Sequence, residues 1–376
     1  MKQISKLLVM VALILSCNCF EAYEDPARTC RKNTAQEKPP NLLAKRGGGF
    51  FVSADYLFWS AYEDGLEYAR EVDVVSTHGG GFIPSSSSLS KTFSVNGTWS
   101  SGARAGIGYL FGNMDRWDLY LNWTYFYSKS DHSHGHFSDA FDPNRYYAPI
   151  WHPFLGARTS AAAEHWWLHY NTIDLQLGRQ CFATKKFSVR PFAGLKAAWI
   201  NQDIHANYMG VWPLVSGFAQ LPTRFKADND FKGIGLMAGS DLHWHFASQW
   251  SVLGQISAAL LYGKFDVGQT IQGYQQTSEN GTPLSYSNFK EKEMNRIRAN
   301  LQTFLGLEWH AFFKNNEYAL NFSAGYEFME WFQQNETSQT LISIIGDGSG
   351  STFVSEVRED GNLGLQGLTM KGQFDF

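Results

Sequence analysis

The chain has 376 residues, 18% of them charged and 16% aromatic, with a formal net charge of −4 and a mean hydropathy of −0.29. That balance offers no basic surface for nucleic acid, because acidic and basic residues are interspersed. Beyond the first 22 residues no stretch reaches the about 18 consecutive apolar residues of a helical membrane span. The 13 Trp, 17 Tyr and 29 Phe suit strands that face lipid on one side and water on the other.

Lys2 and Lys6 border a short apolar run, Leu7 to Leu15, followed by Ser16 and Cys17. A charged start with so short an apolar core predicts a secretory signal over residues 1–22, cleaved near Cys19 to Ala22. Residues 23–48, with Pro26, Pro39 and Pro40, read as a flexible periplasmic leader. From 49 to 376 the texture is that of an outer-membrane barrel.

Strands are expected in order at 50–60, 101–111, 116–128, 166–182, 187–200, 231–246, 250–264, 296–313, 318–332 and 363–376, ten in all. In the first, Val52, Ala54, Tyr56 and Phe58 oppose Ser53 and Asp55. In the third, Leu119, Leu121, Trp123 and Tyr125 oppose Asp118, Tyr120, Asn122 and Thr124. The alternations over 116–128 and 296–313 are too long for the about five or six residues of a sandwich strand and suit a bilayer, which needs about nine to eleven. Residues 66–76 and 91–98 could extend or add strands, giving twelve.

Short turns are expected at Gly112–Asp115, Ala183–Lys186, Ala247–Gln249 and Lys314–Glu317, and long polar loops at 61–92, 129–164, 201–229, 265–293 and 333–362. This segregation is that of an antiparallel up-and-down transmembrane β-barrel, all-β, with short periplasmic turns and long external loops. Aromatic residues near strand ends (Phe58-Trp59, Trp117, Tyr125 to Tyr127, Trp166-Trp167, Trp250, Trp331-Phe332) are expected to form girdles at the two rims. The last strand alternates Leu368, Met370, Phe374 and Phe376.

Residues 50–69 resemble the opening strand of the pore-forming major outer membrane proteins of the Legionella type, a family with members in Chlamydia-related bacteria. Ser101 to Phe111 resembles the second strand, with a Gly-x-Arg-x-Gly-x-Gly-Tyr core from Gly102 to Tyr109. The resemblance implies a pore in the cell outer membrane, passing small hydrophilic solutes or ions. The aromatic C-terminus implies recognition by outer-membrane assembly machinery.

Asp55, Arg104, Asp118, Asp174, Arg190, Lys196, Asp241, Arg296, Arg298, Glu308 and Glu327 are expected inside the barrel as pore-lining residues, since an Arg on the lipid face costs about 2–4 kcal/mol at mid-depth. Ten strands leave a narrow lumen, so a salt-bridged plug is the competing reading, and mixed signs give no ion preference. Cys30 and Cys181 both fall on the periplasmic side, where they can bridge to each other or to neighbouring envelope proteins. Asp131 to His136 (DHSHGH) is expected to be a hydrated loop without preset metal geometry. Asp203 near His205 and Asp241 near His243 make no specific catalytic pattern. Gly-x-Ser-x-Gly, Walker and His-Glu-x-x-His motifs are absent. Neither enzymatic activity nor a cofactor is expected; the alternatives to a pore are a structural or adhesive barrel whose external loops bind host or envelope partners and, behind it, a barrel hydrolase.

Overall fold

The computed structural model describes residues 48–73, 91–111, 116–135, 145–151, 158–184, 186–214, 217–275, 282–314, 317–345, 351–358 and 361–376. Ten long strands form the wall: β1 (Gly48–Asp73), β2 (Ser100–Phe111), β3 (Trp117–Gly135), β4 (Arg158–Arg179), β5 (Phe187–Leu214), β6 (Gly217–His245), β7 (Trp250–Gln275), β8 (Thr282–Phe313), β9 (Tyr318–Asn335) and β10 (Gly361–Asp375). Each pairs antiparallel with its sequence neighbour, and β10 returns to β1 from Phe51↔Asp375 to Glu63↔Leu363. The sheet therefore closes and has no free edge, the condition for exposing a strand backbone to lipid. Phe376 N–H donates to Phe50 C=O at 3.0 Å, fastening the chain end to the opening strand.

Alternation sets the two faces of the lower wall. Phe50, Val52, Tyr56 and Phe58 of β1, Leu119, Leu121, Trp123 and Tyr125 of β3, and Leu305 and Leu307 of β8 are exposed outward. Ser53, Asp55, Asp118, Asn122, Thr124 and Glu308 lie buried on the opposite face. This greasy belt is the lipid contact. Leu305, near its middle, is 64% exposed. Leu305→Arg should therefore cost about 2–4 kcal/mol in urea unfolding of the lipid-folded barrel. Asn201→Arg, placed outward above the belt, should cost almost nothing. Equal costs at the two positions would contradict this placement of the bilayer.

The strands continue far beyond the belt. β5 and β6 run 28 and 29 residues and leave only residues 215–216 between them. This corrects the expected loops at 61–92, 129–164, 201–229, 265–293 and 333–362, much of which is wall. Ala61–Asp73 extends β1, and Thr92–Asn96 and Arg145–Pro149 pair on its flank without entering the ring, which stays at ten. Ser338–Ile345 and Ser351–Arg358 form a separate hairpin.

The reason for the correction lies in the phase of the pattern. Along β5 the outward residues change from Leu195 and Trp199 to Asn201, Asp203 and His205. The inward ones change from Arg190 and Lys196 to Ile200, Ile204 and Tyr208. The lower half is apolar outside and charged inside, whereas the upper half has polar walls around an apolar core, like a water-soluble barrel. In β1 a bulge at Gly65 (φ 80°) shifts the register, so that Leu66 and Tyr68 follow Ala61 and Glu63 inward.

Adjacent aromatic pairs are split by the same alternation. Phe58 and Tyr125 face out, but Trp59, Phe126, Trp166 and Trp331 are buried inside. The expected girdle holds at Phe58, Tyr125 and Trp250, which are exposed, and fails at those four rings. They are core.

Candidate functional site

In the lower half the lumen is built from charge pairs. β2 brings Arg104 inward, flanked by Gly106 and Gly108; side chains at those glycines would collide with the rings of Tyr120 and Phe51. Their absence lets two aromatic rings lie against the β2 wall. Arg104 donates from Nη2 to Glu327 Oε1 at 2.8 Å, from Nη1 to Asp55 Oδ2 at 3.3 Å, and from Nε to Thr124 Oγ1 at 3.0 Å. Arg190 binds Asp118 through Nε at 2.9 Å and Asp241 through Nη1 at 2.8 Å. Lys196 Nζ reaches Asp174 at 2.9 Å. Glu308 Oε2 meets His243 Nδ1 at 2.9 Å and accepts from Ser251 Oγ at 2.8 Å. Buried charges need partners of this kind, since an unpaired one loses its hydration without return.

These groups surround a chamber of about 230 Å³ that reaches Gly49, Glu317, Tyr318 and Phe376 at the short-turn end. Of the residues expected in the lumen, Arg104, Asp118, Asp174, Arg190, Asp241 and Glu308 line it. Asp55, Lys196 and Glu327 also face inward, each paired with a lining group. Arg296 and Arg298 are higher, both on Glu336. Lys371 and Asp375, which were not singled out from the sequence, line the chamber too, as do His243 and Tyr120. The outward alternation of Leu368, Met370 and Phe374 already placed Lys371 and Asp375 on the inner face of β10.

Above the chamber the lumen is crossed by aromatic rings. Tyr170 on β4 and Trp331 on β9 belong to walls five strands apart in a ring of ten, yet their ring centroids are 6.2 Å apart. Trp331 also meets Phe231 at 6.2 Å, which meets Phe265 at 4.7 Å. Tyr170 Oη donates to Met329 Sδ at 2.9 Å. These contacts narrow the lumen at this level.

Glu63 is embedded in the upper core, where Gln202 Nε2 donates to it at 3.1 Å and Gln202 Oε1 accepts from Trp166 Nε1 at 3.2 Å. Burial pushes its carboxyl from the ordinary 4.5 up to about 8. The folded state then holds a proton that the unfolded chain releases above its ordinary value, so this stability is complete below about pH 4.5 and is lost as pH rises through 8. Glu63→Gln should match wild type at pH 4 and exceed it at pH 9 by a few kcal/mol, on the order of 1.4 per pH unit of the shift. Urea midpoints followed by Trp fluorescence at both pH values read this, and parallel pH slopes would refute it.

The His-rich segment is not a loop up to Gly135: it lies in β3. His132 Nδ1 pairs with Glu164 at 2.9 Å and His165 with Asp131 at 3.3 Å, while His134 stacks on Phe93. His136 lies outside the described residues. No metal-ligating group of three forms among the described residues. Neither Asp/His pair is a dyad, for Asp241 is held by Arg190 while His243 is held by Glu308. Asp203 faces Asp228 on the outer wall, where burial and the neighbouring carboxylates push it up to about 6. His205 lies edge-on to Trp167. Cys181, beside the Ala183–Lys186 turn, is disulfide-bonded; Cys30, its expected partner, lies outside the described residues, as do the signal and nearly all of the leader.

Comparisons with known proteins give distant structural likenesses and one family. Among solved structures, the outer membrane protease OmpT from Escherichia coli shares 10% identity, covering 87% of this chain and 96% of its own, with a TM-score of 0.33. A FadL homologue of Pseudomonas aeruginosa shares 9% (90% and 92% covered, TM-score 0.25), and the toluene transporter TodX of Pseudomonas putida 8% (90% and 92%, TM-score 0.28). Likenesses this distant say nothing about activity. No curated protein matches. Residues 45–376, nearly the whole barrel-forming chain, match the family described as Legionella pneumophila major outer membrane protein precursor. With its closed ten-stranded wall and lipid-facing belt, the chain belongs to the Legionella major outer membrane protein family and resides in the cell outer membrane.

Proposed function

We propose that the chain is a narrow outer-membrane channel for small hydrophilic solutes or ions, in which the charged chamber is the vestibule and the aromatic bar is the restriction. The observation that carries this reading is a charged cavity of about 230 Å³ inside the lipid-facing half. A barrel needed only for anchoring would gain nothing from placing desolvated charge there. The chamber lining holds six carboxylates against Arg104, Arg190 and Lys371, an excess that the sequence alone did not disclose. Negative walls concentrate cations, so cations are the favoured solutes. No enzymatic step is assigned to it. The outward alternation of the last strand, sealed onto β1, is proposed as the feature read by assembly machinery.

Planar-bilayer recording tests this. Small current steps are expected, with a reversal potential displaced toward the cation value in a salt gradient. Purified barrel that gives no steps would end the channel reading. The second reading, a structural or adhesive barrel displaying its upper wall, is favoured by the Tyr170–Trp331 contact across the lumen and would then stand.

A further inference from the structure

We infer that His245 and His310 form a binding site for a borderline divalent transition-metal ion, Zn²⁺ or Cu²⁺, inside the short-turn end of the barrel. Strand register builds it. His245 on β6 is level with Ser251 on β7, and Ser251 with Glu308 on β8. Ser251 is small and completely buried, so side chains from β6 and β8 meet over it. His243 thus reaches Glu308 at 2.9 Å, and the rings of His245 and His310 lie edge to face with centroids 6.1 Å apart. Turn backbone fixes both strand ends here: His245 N–H donates to Lys186 C=O at 2.8 Å, and His310 N–H to Gln249 C=O at 3.0 Å.

Two bare nitrogens carry the inference. His310 Nε2 is 3.0 Å from Ser248 C=O. A carbonyl only accepts, so this nitrogen carries the hydrogen of the neutral ring and Nδ1 is left with a lone pair. His245 turns Nε2 toward Ser188 Oγ at 3.5 Å. Nδ1 of His310 and Nδ1 of His245 are both buried without a hydrogen-bond partner among the described residues, on residues 0% and 6% exposed. Buried acceptors are ordinarily satisfied, and an imidazole whose far N–H is anchored on a carbonyl is arranged as metal-bound histidines are. With metal–nitrogen bonds of about 2.0–2.1 Å, two imidazoles on one ion hold their ring centres within about 6.4 Å. The pair meets that limit. His243, stacked on His245 at 6.0 Å and held by Glu308, places a carboxylate beside the ion. No three ligating groups are gathered among the described residues, so the pair is the site and water completes the coordination. Imidazole donors favour Zn²⁺ and Cu²⁺ over Mg²⁺ and Ca²⁺, which take oxygen. The ion would clamp β6 to β8 across β7, whether or not the barrel conducts.

The test uses the full-length barrel in detergent, with folding checked by heat-modifiable migration. Zn²⁺ bound at equilibrium, in excess Mg²⁺, is counted by dialysis and metal analysis. Wild type is expected to hold one equivalent more than His245→Asn and one more than His310→Asn. The urea midpoint should rise with Zn²⁺ in wild type through binding to the folded state at this pair, and by less in either variant. A readout on the unaltered protein serves if a variant does not fold. Hydrogen exchange at the imidazole C2, followed by mass spectrometry, should slow severalfold at His245 and His310 when Zn²⁺ is added. Equal Zn²⁺ counts in wild type and a folded variant, or unchanged C2 exchange at both histidines, would overturn the site. Neither readout involves current, so a silent bilayer leaves the site standing and an absent ion leaves the channel standing.

Discussion

Replacing Arg104 with Ala is expected to destabilise the folded barrel by about 3–5 kcal/mol, the cost of leaving buried charges uncompensated. Asp55 and Glu327 are 4% and 2% exposed, and the guanidinium between them joins β2 to β1 and to β9. Without it Glu327 keeps Thr369 at 2.7 Å and Gln302 at 2.6 Å, but no cation. Asp55 keeps Lys371 opposite it on the neighbouring strand, but among the described residues its Oδ1 has no hydrogen-bond partner. Arg104→Lys should recover only part of the loss, because an ammonium cannot hold two carboxylates and Thr124 in one plane. Combining Arg104→Ala with Glu327→Gln should restore a substantial share, through removal of the orphaned charge. Urea unfolding of wild type, Arg104→Ala, Glu327→Gln and the double variant gives the coupling energy directly. A loss below about 1 kcal/mol for Arg104→Ala would place the pair in the weak, solvated class.

The second large effect is on conduction. Trp331→Ala removes the ring that meets both Tyr170 and Phe231 across the lumen, and Trp331 is completely buried. If the bar is the restriction, single-channel conductance should rise severalfold, and further when Tyr170→Ala is added. The same change should cost about 3–5 kcal/mol of stability, as large aromatic truncations in a core do. Trp331→Phe keeps most of the volume and should leave the current near wild type. Wild-type current with an intact bar and unchanged current in Trp331→Ala would show that ions take another path. Silence in all of these proteins would return the barrel to its structural role.

Sequence alternation alone determined the closed β architecture, the ten crossing strands and the inward orientation of all eleven charged residues expected there. Lipid on one side and enclosed charge on the other force a period of two that a single chain cannot hide. The same alternation misled above the bilayer. At Trp199 and Ile200 the chemistry of the two faces exchanges while the strand runs on, so polar segments were read as loops. Tertiary structure decided three things. It paired Arg104 with Glu327, residues 223 apart in the chain. It sent Trp59, Trp166 and Trp331 into the lumen while their sequence neighbours Phe58 and Trp167 took the outer face. It also brought Tyr170 against Trp331 from opposite walls. The physical reason is that alternation tells which side of a wall a residue occupies. Only closure of the barrel determines what it meets on the far side.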